Sequence, residues 1–341
     1  MVDFKEVLKK NKEIIWPEVQ KYLFKEGEGT FDFPTVINEY SRRQGKYGRG
    51  TLIMLTCKAF GGDTSKAIKT AAAMQLSEDW ILMHDDWEDD SDERRGKPTL
   101  HKLYGNEIAV NAGDGLHIRM WRAIIDNKDV LDNETYHRVI DEFFRFLDIA
   151  VKGQHFEISL FKGKKALEDL EYEDYEKVIY GKTSEYTISG PMRLGAIIAG
   201  QPKEILDKIS EVGIPLGKGF QVRDDLLNII GEGSVYGKEI GGDIFEGKRT
   251  GLLIHLIKNT EGEEHQRVLD IMNKPRSEKT TEEVEWIIKM MKEKGSVEHS
   301  EQMAKRFADE AKAKFEEHFS DLPNKEVFEA AVNFFTMDRK V

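Results

Sequence analysis

Apolar residues recur along this chain at helical spacing almost from end to end. Phe4, Val7, Leu8 and Ile15 share one face of an opening helix, which the pattern ends near Trp16-Pro17. From Thr64, a fair N-cap, a run without breakers to His84 predicts a second helix. Val139, Phe143, Phe146, Leu147 and Ala150 form the stripe of a third over 134–161. Residues 203–230 predict another, its middle made irregular by Gly213, Pro215, Gly217 and Gly219. Over 262–318 charges alternate at helical spacing. Period-2 runs are nearly absent, and no Asn-Gly or Asp-Gly pair joins two of them, so strands are not expected. The Gly-rich stretch 231–251 reads as a loop, and neither a fixed-period repeat nor a Pro/Ser-rich linker divides the chain. The expectation is one all-α domain over residues 1–341 with about ten helices.

Composition narrows the chemistry. The 341 residues include 51 basic and 63 acidic side chains, a formal charge of −12, which speaks against nucleic acid as partner. With a single cysteine, neither a disulfide framework nor a Cys-based zinc site can form, and Cys57, in an apolar run, is expected in the core. No apolar run approaches the ~20 residues of a membrane span, and the N-terminus mixes acids with bases, unlike a signal peptide. A soluble, cytoplasmic protein is expected.

Two acid clusters stand out. Residues 85–93, DDWEDDSDE, hold seven acids in nine positions and follow directly on the apolar Trp80-Ile81-Leu82-Met83. Asp85 and Asp89 are i and i+4, on one helix face with Asp86 beside them. Gly96 and Pro98 end the segment, so the acids sit near a helix C-terminus, where the macrodipole disfavours them. Two carboxylates about 6 Å apart repel by about 3 kcal/mol at an effective dielectric near 20. A solvated acidic turn would avoid that cost, but the preceding helix is too apolar for the surface and the next residues are Arg94-Arg95-Gly96-Lys97. Divalent cations on the carboxylates, with guanidinium forks on the remaining oxygens, suit a polyphosphate. The second cluster, Gln221-Val222-Arg223-Asp224-Asp225-Leu226-Leu227-Asn228, is followed by Lys238, Asp243, Lys248 and Arg249. Two helices bearing such acids could clamp metal ions between them.

These residues resemble the trans-isoprenyl diphosphate synthases. DDWEDDSDERRGKP is similar to that family's first Asp-rich motif, GKGFQVRDDLLN to its second, and GKEIGGDIFEGKRT to its Lys-rich loop. Upstream, GKYGRG keeps Lys-x-x-Arg as Lys46 and Arg49, and AGDGL, GQHFE with Gln154, and GKT with Lys182-Thr183 also match, in order, over about residues 40–255. The resemblance implies an all-α bundle around a central cavity, usually a homodimer. The implied reaction is an Mg²⁺-dependent joining of isopentenyl diphosphate to an allylic diphosphate. By the same resemblance Asp85, Asp86, Asp89, Asp224 and Asp225 hold Mg²⁺. Arg94, Lys182 and Lys248, with Lys238 in the loop, bind the allylic diphosphate. Lys46, Arg49 and Arg95 bind isopentenyl diphosphate, and Lys182, Thr183 and Gln221 stabilise an allylic cation. Trp80, five residues before the first Asp, lies under the growing chain, and so large a plug implies a C15 to C20 product, farnesyl or geranylgeranyl diphosphate.

The sequence departs from that pattern at three positions. Asn228 stands for the third Asp of the second motif, Glu78 for a His or Gln that assists isopentenyl diphosphate, and Gly50 for a proline. An anion at position 78 repels a diphosphate unless it is paired. Two alternatives stay open: a terpene cyclase-like enzyme using one allylic diphosphate, and a non-catalytic subunit of a heteromeric synthase. Retained Lys46, Arg49 and Arg95 speak against the first, and intact acids with Arg94 and Lys248 against the second. Among the histidines only His84 is tempting, and a hydrogen bond on a helix face is expected of it. A basic tail at Arg339-Lys340 could reach the site entrance.

Overall fold

In a computed structural model, residues 3–231, 239–323 and 325–336 are described. They are helical almost throughout, and the one pair of strands among them is two residues each, Glu93–Arg94 and Lys97–Pro98. The expected all-α class holds. The chain groups into two compact units, the first from Met1–Phe146, Thr187–Glu211 and Phe315–Ala331, the second from Leu147–Tyr186, Val212–Lys314 and Val332–Val341.

The first unit is organised on helix Ile68–Glu88, which packs on helices Phe4–Tyr22, Gly48–Ala59 and Asn106–Ile125. Its first half, Thr70 to Ser77, is buried, with Ala71, Ala72 and Ala73 fully enclosed. Small side chains let neighbouring axes come close, which is why this stretch carries alanines. Gly50 serves the same purpose: a Cβ there would lie 2.9 Å from Ile15 Cδ1 and 3.4 Å from the Ala71 carbonyl. A proline ring would press on both, which accounts for the glycine. The opening helix does not stop at Pro17 but runs Phe4–Tyr22. One lost hydrogen bond is outweighed because Ile15, Val19 and Tyr22 are buried on either side of the proline. The helix expected from Thr64 begins at Ile68; a short 3₁₀ turn, Thr64–Ala67, precedes it and is capped by Asp63, whose carboxylate accepts from Ser65 N. Cys57 is fully buried, and burial pushes its thiol up to about 11, as an inert core residue requires.

The second unit closes around Leu226, Ile229, Ile254, Leu256, Val268 and Ile287. Helix Lys203–Ile230 carries Pro215 inside it and is one continuous element, contrary to the irregular middle expected. Its glycines are there for close approach: a Cβ on Gly217 would sit 2.4 Å from Ser184 Cα. Likewise Gly153, on helix Asn133–Ser159, meets Gly181 so tightly that a Cβ would lie 2.5 Å from Lys182 N. These crossings fix the wide-turn segment Ile179–Ser189, a π-helical stretch of the kind that gathers at functional sites. The expected loop contains a short helix, Gly242–Glu246, before helix Gly251–Lys258. Residues 232–238, with Lys238, and the tail residues Arg339-Lys340 lie outside the described residues.

Gly217→Ala should therefore cost about 1–3 kcal/mol of unfolding free energy, the usual penalty of overpacking against backbone. Urea denaturation followed by circular dichroism measures it, and an unchanged midpoint would show that the crossing tolerates a methyl group.

Candidate active site

In the first unit the acid cluster is shaped by the end of its helix. Helix Ile68–Glu88 closes with Asp89 as cap, and Ser91 N reaches back to the Asp86 carbonyl at 2.9 Å. Asp90 takes a left-handed φ of 54° in the turn. The chain then reverses through Arg95 and Gly96, both at positive φ (56° and 71°), between paired residues Arg94 and Lys97. Two consecutive positive φ values make a type I′ hairpin turn. Sequence inspection missed it because Arg-Gly is not one of the usual signatures. Arg43 fastens the hairpin by donating to the carbonyls of Arg94 (3.0 Å) and Pro98 (2.8 Å).

That reversal lays both arginines back along the helix. Arg94 donates from Nε and Nη2 to the Asp86 carboxylate, which also accepts from Tyr40 Oη at 2.6 Å. Asp86 is fully buried, and the paired guanidinium with the tyrosine hydroxyl offsets the cost of enclosing its charge. Asp85 is 3.8 Å from Arg94 Nη2, and Asp89 is buried beside them. The spacing was legible in the sequence; Tyr40, 46 residues away, carried no signal.

About two helical turns earlier lies a second ionic knot. Arg95 donates to Asp79 (3.0 Å), Glu78 (3.2 Å) and the Tyr40 carbonyl (2.7 Å). Arg49 lies 3.1 Å from Glu78 Oε2 and donates to Thr187 Oγ1 at 2.9 Å. The predicted Arg49 and Arg95 are thus brought together, on Glu78. Burial disfavours the charge on Glu78, but Arg49 and Arg95 outweigh it and hold the carboxyl below its usual range. The neighbouring Asp79 is shifted the other way, by burial and by Glu78. Lys46 is exposed just ahead of helix Gly48–Ala59. Sequence reasoning missed Lys12: it stands over the Tyr47 ring at 5.7 Å, and burial with the charge of Arg95 lowers its pKa. Nothing in its helical pattern marks it from other surface lysines. Trp80 is half-buried, with its Nε1 3.4 Å from Met120 Sδ and its ring 4.6 Å from that of His117. His84 bonds the Val110 carbonyl through Nε2 at 3.0 Å.

In the second unit the predicted Thr183, Gln221 and Asp225 form one chain of hydrogen bonds. Thr183 Oγ1 donates to Gln221 Oε1 (2.7 Å), Gln221 Nε2 donates to Asp225 Oδ1 (2.7 Å), and Tyr175 Oη donates to Asp225 Oδ2 (2.7 Å). Lys182, on the π-helical stretch, pairs with Glu157. Asp224 is half-buried next to the chain. Asp225, Asp243, Lys248 and Thr250 line a small cavity with Ile229, Ile244 and Met272. Lys248 pairs with Glu246 (2.8 Å) and lies 3.6 Å from Asp243. Asn228 is buried; its Nδ2 donates to the Glu239 carbonyl (3.3 Å) and its Oδ1 accepts from Asp243 N (3.1 Å). An aspartate could not donate to Glu239, so the amide clasps the start of the Lys-rich loop to the helix end.

Asp225 is buried and in these bonds accepts from two neutral donors, Tyr175 and Gln221. Burial first, then the charge of Asp243, pushes its carboxyl well above the usual range. A hard divalent cation taking oxygen ligands fits this donor set, because it would replace the proton such an acid otherwise retains. Among the described residues no three His, Cys, Asp or Glu side chains already converge closely enough to hold a metal ion. The acids instead stand in hydrogen bonds from which a cation would recruit them.

Comparison with known proteins shows the family. A family described as polyprenyl synthetase matches residues 33–291. Geranylgeranyl diphosphate synthase of Saccharolobus solfataricus is 34% identical over 78% of this chain and 77% of its own length. The crystal structure of geranylgeranyl pyrophosphate synthetase from Pyrococcus horikoshii superposes with a TM-score of 0.84 at 26% identity, over 98% of this chain and 99% of that one. Geranylgeranyl pyrophosphate synthase from Corynebacterium glutamicum, solved with isoprenyl diphosphate and magnesium, gives a TM-score of 0.86 at 25% identity, with 99% of each chain covered.

The raised carboxyl pKa of Asp225 costs stability that grows as pH rises from the unfolded-state value of about 4 towards the folded one. Asp225→Asn should therefore raise the Tm of the metal-free protein by about 2–5 °C at pH 8 and leave it unmoved at pH 4. Differential scanning calorimetry measures both, and a lowered Tm at pH 8 would show that the acid is not a buried liability. In sequence and in fold alike, the chain belongs to the polyprenyl synthetase family.

Proposed function

We propose that this protein is an Mg²⁺-dependent short-chain trans-prenyltransferase that condenses isopentenyl diphosphate with an allylic diphosphate. The observation that carries the reading is that the family match, residues 33–291, takes in both acid clusters and the cations that fold back on them. It also runs without interruption through residues of both compact units, which supports treating residues 1–341 as one catalytic domain. No helix among the described residues is long and apolar enough to cross a membrane, consistent with a cytoplasmic enzyme.

The residues divide the work by their chemistry. Asp85, Asp89, Asp224 and Asp225 are the proposed Mg²⁺ ligands, with Asp86 positioning Arg94. Magnesium, where bound, would supply positive charge against the diphosphate as it leaves with the electron pair of the allylic C–O bond. Arg94, Lys182 and Lys248 hold that diphosphate, each delivered by an acid partner that fixes its head group. Lys238 joins them by resemblance alone. Thr183 and Gln221 aim oxygen dipoles at the allylic cation; the bond between them orients both. The alkene of isopentenyl diphosphate, held through Lys46, Arg49 and Arg95, then forms the new C–C bond. The proton lost passes to the released diphosphate. Apolar walls keep water from the cation, and Trp80, wedged on Met120 and His117, sets their floor.

A homodimer is proposed as the assembly. Ile118, Trp121 and Ile125 fall on one face of helix Asn106–Ile125; Ile118 and Ile125 are exposed, and Trp121 packs on exposed Phe144 at 4.8 Å. A stripe of that kind on a monomer is an interaction surface.

Purified protein given labelled isopentenyl diphosphate, geranyl or farnesyl diphosphate and Mg²⁺ should incorporate label into C15 to C20 product. Diphosphate release without incorporation would favour a cyclase, and no turnover a subunit that needs a partner. Trp80→Ala should shift the product, read by reversed-phase chromatography, to longer chains; an unchanged length places the floor elsewhere.

A further inference from the structure

We propose that Glu78 is a built-in counter-anion of the accepting-substrate site: its carboxylate holds the two guanidinium groups that would bind the diphosphate of isopentenyl diphosphate, and that substrate must displace it. The proposal rests on the prenyltransferase reading above. Glu78 Oε1 is 3.2 Å from Arg95 Nη2, and Glu78 Oε2 is 3.1 Å from Arg49 Nη1. One carboxylate thus bridges both arginines. The three side chains are 12%, 15% and 20% exposed, so the bridge is shielded from solvent far more than a surface pair.

Geometry makes the bridge a competitor. A guanidinium takes a phosphate best as a fork, through two parallel N–H groups. The terminal edge of Arg95 is already committed: Nη1 serves Asp79 and the Tyr40 carbonyl, and Nη2 serves Glu78. Arg49 Nη2 serves Thr187. A diphosphate reaching these residues meets cations facing an acid, and full engagement requires the acid to leave.

The residues around the bridge suit such an exchange. Gly45 lies against it: a Cβ there would stand 2.8 Å from Arg95 Nη2 and 3.3 Å from Glu78 Oε1. The missing side chain leaves the backbone in direct reach of whatever anion occupies the arginines. Tyr47 is 1% exposed, and its buried hydroxyl has no hydrogen-bond partner. That hydroxyl lies within electrostatic reach of Asp79, Glu78 and Arg95. A buried donor left idle costs free energy, and an incoming phosphate oxygen would satisfy it. Lys12 adds a cation beside Arg95 that the bridge does not use. The site thus holds the parts of a diphosphate cradle with one internal acid occupying its forks.

Glu78→Gln keeps an acceptor for the arginines and removes the charge. Two measurements test the proposal. In the first, inorganic pyrophosphate is titrated calorimetrically into the metal-free protein with chelator present, which isolates the arginine site from the metal-dependent one. Its Kd should fall at least tenfold in Glu78→Gln and stay near the wild-type value in Glu78→Asp, which keeps the charge. In the second, the KM for isopentenyl diphosphate should fall by a similar factor, without the same change in the KM for the allylic substrate. An unchanged or weaker pyrophosphate affinity in a folded Glu78→Gln protein overturns the proposal; if that variant fails to fold, Glu78→His gives the same reading. Tighter pyrophosphate binding with no prenyl transfer would sink the functional reading alone, and transfer with unaltered affinity would sink this one alone.

Discussion

A carboxylate taken out of water must find a positive charge, a set of donors or a proton, and the chemistry of this chain turns on how each of its buried acids is answered. Asp86 is answered by Arg94 and Tyr40, Glu78 by Arg49 and Arg95, and Asp79 by Arg95, Ser41 and Gln75. Asp225 receives two neutral donors while facing the negative Asp243, so it keeps its proton well above the usual range. The first three have a guanidinium partner inside the protein, although burial and Glu78 still push Asp79 up. The fourth gives up its proton reluctantly, and a bound cation would favour its charged form.

The fold serves this distribution by placing backbone reversals where the charges have to turn. The type I′ turn at Arg95-Gly96 sends two adjacent arginines back to acids about two helical turns apart. The Gly153–Gly181 and Gly217–Ser184 crossings bring the π-helical stretch with Lys182 and Thr183 close enough for Thr183 to reach Gln221. Asn228 ties the start of the Lys-rich loop to the helix bearing Asp224 and Asp225. Each device is local, and each acts on a residue that carries charge or a reactive dipole.

The helical class, the long helices and the two acid clusters were legible because period 3.6 and i, i+4 spacing are properties of the sequence itself. The helix expected from Thr64 to His84 was readable as buried from its apolar content, and Arg94 and Arg95 as anion ligands from their position. What escaped depended on contacts across long separations. Pro17 looked like a stop because the burial of Val19 and Tyr22 beyond it is a tertiary fact. The glycines of helix Lys203–Ile230 looked like breaks because Ser184 opposite them is invisible in a one-dimensional pattern. Glu78 looked like a repulsive intruder, and only its position between Arg49 and Arg95 shows it as the partner of both. Lys12, Tyr40 and Tyr175 had no local mark at all.

What the proposed metal site requires is that buried Asp225 holds a proton which a bound metal ion displaces. It is tested most directly by counting the protons released when Mg²⁺ binds, from calorimetric titrations at one neutral pH in two buffers of different ionisation enthalpy. Magnesium binding accompanied by net proton release to the buffer is the predicted result, with the release lost in a protein lacking the Asp225 carboxyl. Binding with no proton exchange, or no binding at all in the presence of pyrophosphate, would contradict it.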